Sequence, residues 1–423
     1  MLDRTIAPKA AILENAHELL KPETVVLDNG IPLHLMLSGS QHLVRIEFIF
    51  EAGTWHEDVE NTSYLAIKLV SSGTKKYTAE QIEKTIAFYG AFIDLDNGPD
   101  RSTITIYSVS KHIVSLLPLI VDLITNSQLP EEEFNNLKNI SLQNLKVNLA
   151  KTNYLASINF RKNIFGANHP YGKSLSEECL NKVEVSDVRN FFYNTFIPEN
   201  CHIIVSGNGA LDFYALFNNS FGTLKKGKTH NKKKVFDILS YSGSKIIPKE
   251  NALQSSIRIG LPLFTLAHPD YFKTYILTEI LGGYFGSRLM KNIREDKGFT
   301  YGIHANIVCY QNAGYFVIGT DVDKENTQKT IDEIYKEISI LKHNLVSFDE
   351  LDTVKNYMLG SFFNSINTPF ALADKFKMIY FNGLDYTFYK NYIKTIETVN
   401  ASQILEMANK YFNKEEMLEV IAG

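Results

Sequence analysis

Apolar positions along the chain fall into short blocks whose period changes. Val44 to Phe50 is largely apolar and strand-like, which predicts a strand. RSTITIYSVS (101–110) alternates and is rich in β-branched residues, the mark of a second strand. A helix is predicted over 61–72, and another starts at Thr78, where Thr78 and Gln81 form a capping box. Its apolar positions Ile82, Ile86 and Tyr89 follow helical spacing, and Gly90 ends it. Further helices are predicted over 111–126, 130–150 and 186–194. Strands mixed with paired helices, without a regular βαβα alternation, predict an α+β sheet with helices on one face.

The pattern repeats. VSDVRNFFYNTFIPENCHIIVSG (185–207) and ASQILEMANKYFNKEEMLEVIAG (401–423) both open near a Ser suited to cap a helix, Ser186 and Ser402. Both place Phe at the same offset (Phe196, Phe412), run into a short apolar strand and end on Gly. Upstream, PEEEFNNLKN from Pro130 matches SFDELDTVKN from Ser347, and the interval from that start to the Ser differs by one residue between the copies. Near the midpoint lies KKGKTHNKKK (225–234), a like-charge run with no apolar anchor that reads as a solvated linker. It would otherwise be an exposed loop of one domain, but the repetition favours a tandem duplication. The expected domains are 1–224 and 238–423, joined by a linker over 225–237.

Composition removes several function classes. With 423 residues and a formal net charge of -4, the chain offers no reason to expect nucleic acid or an anionic membrane as partner. Cys179, Cys201 and Cys309 are odd in number and form no CxxC, so structural disulfides and a zinc ribbon are not expected. The first residues scatter charges through any apolar core, unlike a signal peptide. The most apolar stretch, Ile113 to Ile124, is too short to span a bilayer and contains Asp122. These features predict a soluble, cytoplasmic protein.

Several motifs carry a family resemblance. EAGTWHED (51–58), SSGTKKYTAEQIEK (71–84), GANHPYG (166–172), FIPENCHIIVSG (196–207), LGGYFGSRL (281–289) and REDKGFTYGI (294–303) resemble those of the pitrilysin/insulinase-type metallopeptidases. This is the inverted-zincin family that includes mitochondrial processing peptidase and the core subunits of respiratory complex III. The motifs stand in family order and cover nearly the whole chain. The resemblance implies two homologous α+β domains, each a mainly antiparallel sheet with helices on one face, together forming half of a clamshell.

Active members of that family carry H-x-x-E-H just before the Gly-Thr turn, two His ligands one helical turn apart with a Glu that activates the bound water. Counting back from Gly73-Thr74, the equivalent positions are Tyr64, Ile67 and Lys68. A phenol and an ammonium replace the ligands, and an aliphatic chain replaces the base. The third ligand implied by the resemblance is a Glu from a later helix, yet no Asp or Glu occurs from Phe134 through Ser176. No metal and no cofactor are therefore expected in this chain, zinc being expected only in a partner. His56-Glu57 belongs to a loop motif, and His112, His169, His202 and His304 form no pair at ligand spacing. The acid-free segment holds Lys138, Lys146, Lys151, Arg161, Lys162 and Lys173, either a positive chamber wall or a solvated helix face.

The second half keeps REDKGFTY, with Arg294 seven residues before Tyr301. This resembles the family's Arg/Tyr pair, found across the chamber from the metal. A phenol can donate to a scissile carbonyl as negative charge builds there, and an Arg can hold peptide carbonyls or a carboxylate. Both are also ordinary structural residues at a helix end and a strand start. LGGYFGSRL, with Gly282, Gly283 and Gly286, has neither the G-x-G-x-x-G spacing nor the preceding strand of a nucleotide site. FIDLDNGPDRSTITI (92–106) matches the strand to which family members add a peptide as a further β-strand. Here it carries Asp94, Asp96 and Asp100, which would equally discourage edge pairing.

The resemblance thus implies the metal-free subunit of a heteromeric zinc peptidase. Arg294 and Tyr301 would complete a site whose zinc is held by an H-x-x-E-H partner, in a heterodimer or dimer of dimers acting on a peptide. The alternatives are a non-catalytic scaffold and a peptide-binding homodimer on the same fold.

Overall fold

The computed structural model describes residues 19–227 and 234–423. The reading of the first residues as lacking a signal peptide, and the middle of the lysine-rich run, lie outside these residues. The first half builds a six-stranded sheet from β1 (Glu23–Val26), β2 (Pro32–Leu37), β3 (Leu43–Phe50), β4 (Phe92–Asn97), β5 (Ser102–Val109) and β6 (Cys201–Gly207). Its order is β1-β2-β6-β3-β5-β4, antiparallel except between β2 and β6. The second half builds a five-stranded sheet from β7 (Gly243–Ile247), β8 (Gln254–Leu263), β9 (Ile303–Cys309), β10 (Gly314–Asp323) and β11 (Leu418–Ala422). Its order is β7-β11-β8-β10-β9, again with one parallel pair, β7 with β11. The second order repeats β2-β6-β3-β5-β4 strand for strand, and β1 alone has no counterpart.

The helices of the first half are α1 (Thr62–Leu69), α2 (Ala79–Phe88), α3 (Ile113–Asn126), α4 (Glu131–Leu149), α5 (Thr152–Phe165), α6 (Glu177–Lys182), α7 (Val185–Thr195) and α8 (Phe213–Phe217). Those of the second are α9 (Tyr271–Thr278), α10 (Thr327–His343), α11 (Phe348–Asn364), α12 (Pro369–Tyr380), α13 (Thr387–Thr398) and α14 (Ala401–Tyr411). Among the described residues, no helix is long and apolar enough to cross a membrane.

The capping box at Thr78 forms as the sequence predicts: Gln81 N–H donates to the Thr78 hydroxyl at 3.2 Å, and Thr78 N–H to the Gln81 side chain at 2.9 Å. Ser186 and Ser402 are not caps. The chain enters α7 after Glu184, whose N–H donates to Asp187 at 3.0 Å, and enters α14 after Asn400, whose side chain accepts from Gln403 N–H at 3.0 Å. Both serines lie within the first turn, because a longer polar side chain two residues earlier already satisfies the free amides. The paired phenylalanines do match in conformation. Phe196 (φ -87°, ψ 59°) and Phe412 (φ -99°, ψ 60°) make the same bend from helix to strand, and both rings are buried.

One face of each sheet packs on its own half's helices. Phe48, Ile46 and Ile104 meet Leu65, Ile67 and Leu69 of α1, while Phe316 and Ile259 meet Ile276, Met407 and Phe412. The opposite faces are covered reciprocally. Helix α5 of the first half lays Phe160, Ile164 and Phe165 against Tyr315, Leu418 and Val420 of the second sheet. Helix α12 of the second half lays Ala373 and Phe376 against Met36, Ile49 and Ile204 of the first. Each half therefore lends a helix to the other.

Charge accompanies the second exchange. Arg45 and Glu47 of β3 are buried side by side at 3.0 Å. Arg45 also forks onto Asp374 of α12 at 2.9 and 3.2 Å, and Lys377 of α12 meets Glu47 at 2.6 Å. The lysine-rich run is less free than its composition suggests: at its end Lys234 donates to Glu57 O and Asp58 Oδ1, both at 2.8 Å, and Phe236 stacks edge-on against Trp55.

Candidate functional site

Of the three positions that would hold the metal chemistry, Ile67 is 0% exposed, sealed in the first core between Leu65 and Leu69. Lys68 points its ammonium at the main-chain carbonyl of Leu95 in β4 and donates to it. Tyr64 is half-buried on the same helix and lines a cavity. The face of α4 turned inward carries Phe134, Ser141 and Leu145 where a carboxylate ligand would be needed. Among the described residues, no group of three or more His, Cys, Asp or Glu could hold a metal ion. The residues present do not fit a divalent cation: Tyr64 and Ser141 offer a phenol and a hydroxyl, the nearby carboxylates Glu57 and Glu60 are engaged by the start of α1 and by Lys173, and the fixed positive charge of Lys68 stands on the same helix.

Glu57, beside the tempting His56, serves α1. Its carboxylate accepts from Ser63 N–H at 2.9 Å, from the Ser63 hydroxyl at 2.5 Å and from Asn61 N–H at 3.2 Å, covering the free amides at the helix start. Burial pushes this carboxyl up to about 7 against the pull of those bonds. His56 instead lies 3.7 Å from Glu51, which Arg101 holds at 2.7 Å, and these neighbours keep the Glu51 carboxyl below its usual range despite burial.

Arg294 and Tyr301 do come together. Arg294 lies in a π-helical segment, Met290–Asp296, whose wide turn is typical of functional positions. The chain then turns through Gly298 at φ 65° and enters β9. Thr300 pins this turn: its hydroxyl donates to Asp321 O at 2.8 Å and accepts from Gly302 N–H at 3.1 Å. Tyr301 is thereby turned outward and is 92% exposed. The Arg294 guanidinium stacks between the rings of Phe285, at 4.7 Å, and Tyr301, at 5.4 Å. Phe285 was not singled out from sequence; its place among glycines in LGGYFGSRL was the available signal. Tyr301 and Tyr64 open into different cavities, so the chain does not bring the pair to its own metal positions.

The family question is decided by both halves at once. Residues 35–176 match the profile described as Insulinase (Peptidase family M16), and residues 182–358 match Peptidase M16 inactive domain. The chain belongs to peptidase family M16. This M16 chain is 22% identical over 400 residues to the "Uncharacterized zinc protease YmxG" of Bacillus subtilis, covering 93% of this chain and 96% of that one. It is 22% identical over 330 residues to the "Non-peptidase homolog YmxG" of Helicobacter pylori, covering 76% of each. It is also 22% identical over 277 residues to mouse cytochrome b-c1 complex subunit 1, covering 62% of this chain and 56% of that one. In fold it matches a peptidase M16 inactive domain from Pseudomonas fluorescens with a TM-score of 0.87 at 20% identity, covering 96% and 98% of the two chains. The two-domain M16 fold follows, and so does an M16 member without the family's own zinc motif. The boundary between the two profiles precedes β6, so the second profile begins inside the half that builds the first sheet.

The two halves of this M16 chain are latched beside the sites. The Tyr171 hydroxyl donates to Asp100 at 2.6 Å and accepts from Asn312 N–H at 3.2 Å, and Arg101 reaches Gln311 at 2.7 Å. Asp100 is thus tied down, whereas Asp94 and Asp96 stand exposed with Phe92 on one face of β4, at the sheet edge.

Proposed function

We propose that this chain is the zinc-free subunit of a two-chain M16 peptidase, supplying Arg294 and Tyr301 to a site whose metal is held by an H-x-x-E-H partner. The observation that carries the reading is the presentation of the pair. The Arg294 guanidinium stacks on two exposed rings, Tyr301 is held outward by Thr300, and among the described residues neither side chain is hydrogen-bonded to the chain's first half, so both are presented to whatever faces them. In a shared chamber the phenol would donate to the scissile carbonyl oxygen while the guanidinium holds the peptide backbone. Peptide, partner and chain would meet only in the assembled enzyme. The test is reconstitution: mixing with an H-x-x-E-H homologue from the same host should give peptidase activity that neither chain has alone. Full activity of the complex carrying both Tyr301→Phe and Arg294→Ala would refute the assignment.

A second reading is a non-catalytic scaffold. It is favoured by Lys68, whose fixed contact with Leu95 gives the old metal position a structural task, and by the relatives named non-peptidase homolog and cytochrome b-c1 complex subunit 1. Under it, a stable complex forms whose function is indifferent to both substitutions.

A further inference from the structure

A cavity of about 680 Å³ lies within reach of Tyr64 but away from Tyr301. It is bounded by the turn leading into α1, the loop after β4, the inward faces of α4 and α5, and Tyr310 just beyond β9. Three cations from the acid-free segment reach it: Lys151, Arg161 and Lys173. Two carboxylates also line it, and both are occupied. Glu60 pairs with Lys173 at 3.0 Å and accepts from the Cys179 thiol, while Glu57 is held by the amides and hydroxyl at the start of α1.

The remaining groups are short of acceptors. Arg161 is half-buried and makes no hydrogen bond or ion pair among the described residues. Among the described residues the Lys151 ammonium donates only to Asn148, at 3.1 Å. Asn61 Nδ2 and the hydroxyl of Ser141, a residue 2% exposed, are buried on the same walls without a hydrogen-bond partner among the described residues. A half-buried guanidinium without an acceptor is expensive, and its planar fork of donors matches a carboxylate. Tyr154 and Arg161 stand seven residues apart on one face of α5, and both line the cavity. Tyr171 and Tyr310, with ring centres 4.3 Å apart, add an aromatic wall.

We infer that this cavity binds a carboxylate carried on an apolar body, with Arg161 as the fork, Lys151 beside it and the tyrosines around the body. The volume lies in the range of small-ligand sites. A single negative charge suits the walls better than a phosphate dianion, which Glu57 and Glu60 would oppose. The carboxylate has two possible sources, a small organic acid and the free C-terminus of a peptide. The site uses neither Arg294 nor Tyr301 and needs no partner chain, so it goes beyond the function proposed above and fails or stands separately from it.

The full chain carries a built-in reporter. Trp55 is its one tryptophan, and its ring lies 5.0 Å from that of Tyr171. The probes are 3-phenylpropionate, its amide, acetyl-Ala-Ala-Phe with a free carboxylate and the same peptide amidated, titrated by Trp fluorescence and calorimetry. Saturable binding of at least one acid is expected, about tenfold weaker for its amide and for Arg161→Gln, the loss of one charge-assisted bond pair. Lys151→Gln, at the exposed start of α5, should weaken it in the same sense and guards against misfolding of the first variant. Tighter binding of the peptide acid identifies a peptide terminus as the source, and tighter binding of phenylpropionate a small acid. Equal binding of acid and amide, indifference to both substitutions, or no saturable binding by either method up to about 5 mM overturns the inference.

Discussion

The ammonium of Lys68 donates to the carbonyl of Leu95, joining helix α1 to the edge strand β4. The position that would carry a zinc ligand therefore holds a strand in place. Replacing it by Met keeps the aliphatic stem and removes the donor. Lys68→Met should lower stability by about 1–2 kcal/mol and speed hydrogen exchange in β4 before other strands, measured by denaturant unfolding and exchange mass spectrometry.

Writing the motif back should fail in a particular way. The triple variant Tyr64→His, Ile67→Glu, Lys68→His restores H-x-x-E-H, yet it buries a carboxylate at a position that is 0% exposed. A loss of about 3 kcal/mol or more is expected, with far less than one zinc per chain by elemental analysis, since Ser141 and Leu145 supply no third carboxylate.

The buried charges between the halves should behave as a unit. Glu47→Leu leaves Arg45 and Lys377 with Asp374, which is half-exposed, as their one carboxylate among the described residues, beside the Phe370 carbonyl that Arg45 also reaches at 2.9 Å. It should cost about 3–5 kcal/mol in urea unfolding, and adding Lys377→Met to the same variant should recover part of that loss.

His34 gives the chain an acid sensitivity. It is 1% exposed, and burial, with help from neighbouring His202, lowers it from 6.5 to about 4. Between those values the unfolded chain takes up a proton that the folded chain refuses. Stability is therefore complete above about pH 6.5 and falls as pH drops toward 4, by roughly 3 kcal/mol for this group. Glu57 acts in the opposite sense, its raised carboxyl lowering stability as pH rises from 4.5 to about 7. The difference between wild type and His34→Phe in unfolding free energy, followed from pH 7 to pH 4, isolates the histidine.

At the exposed pair, stability and activity should separate. Tyr301→Phe should leave the unfolding free energy within about 0.5 kcal/mol. In the reconstituted complex it should lower kcat by about a hundredfold with little change in KM, the signature of a donor used in the transition state.

Much of this was legible because it rests on local rules. The apolar, strand-like stretch at Val44–Phe50 became the centre of the first sheet, although it carries Arg45 and Glu47; the Thr78–Gln81 box capped its helix, and the matched Phe196 and Phe412 marked a repeat that the strand orders reproduce. The Ser caps were misplaced because a competing side chain two residues earlier reaches the same amides. The helix exchange had no local signal: Phe160 and Ile164 show the same pattern whichever sheet they cover. Nor could the acid-free segment reveal which of its cations stay paired, since that depends on Glu60 reaching Lys173 and not Arg161.

The reciprocal loan of α5 and α12 also fixes where motion can occur. Swinging the halves apart would strip a helix from each sheet and open the Arg45–Glu47 cluster, so the shared packing opposes motion between them. Cleavage within the lysine-rich run should leave both fragments bound to each other through gel filtration. Each half covers one face of the other's sheet, so the two halves should unfold together in a single transition.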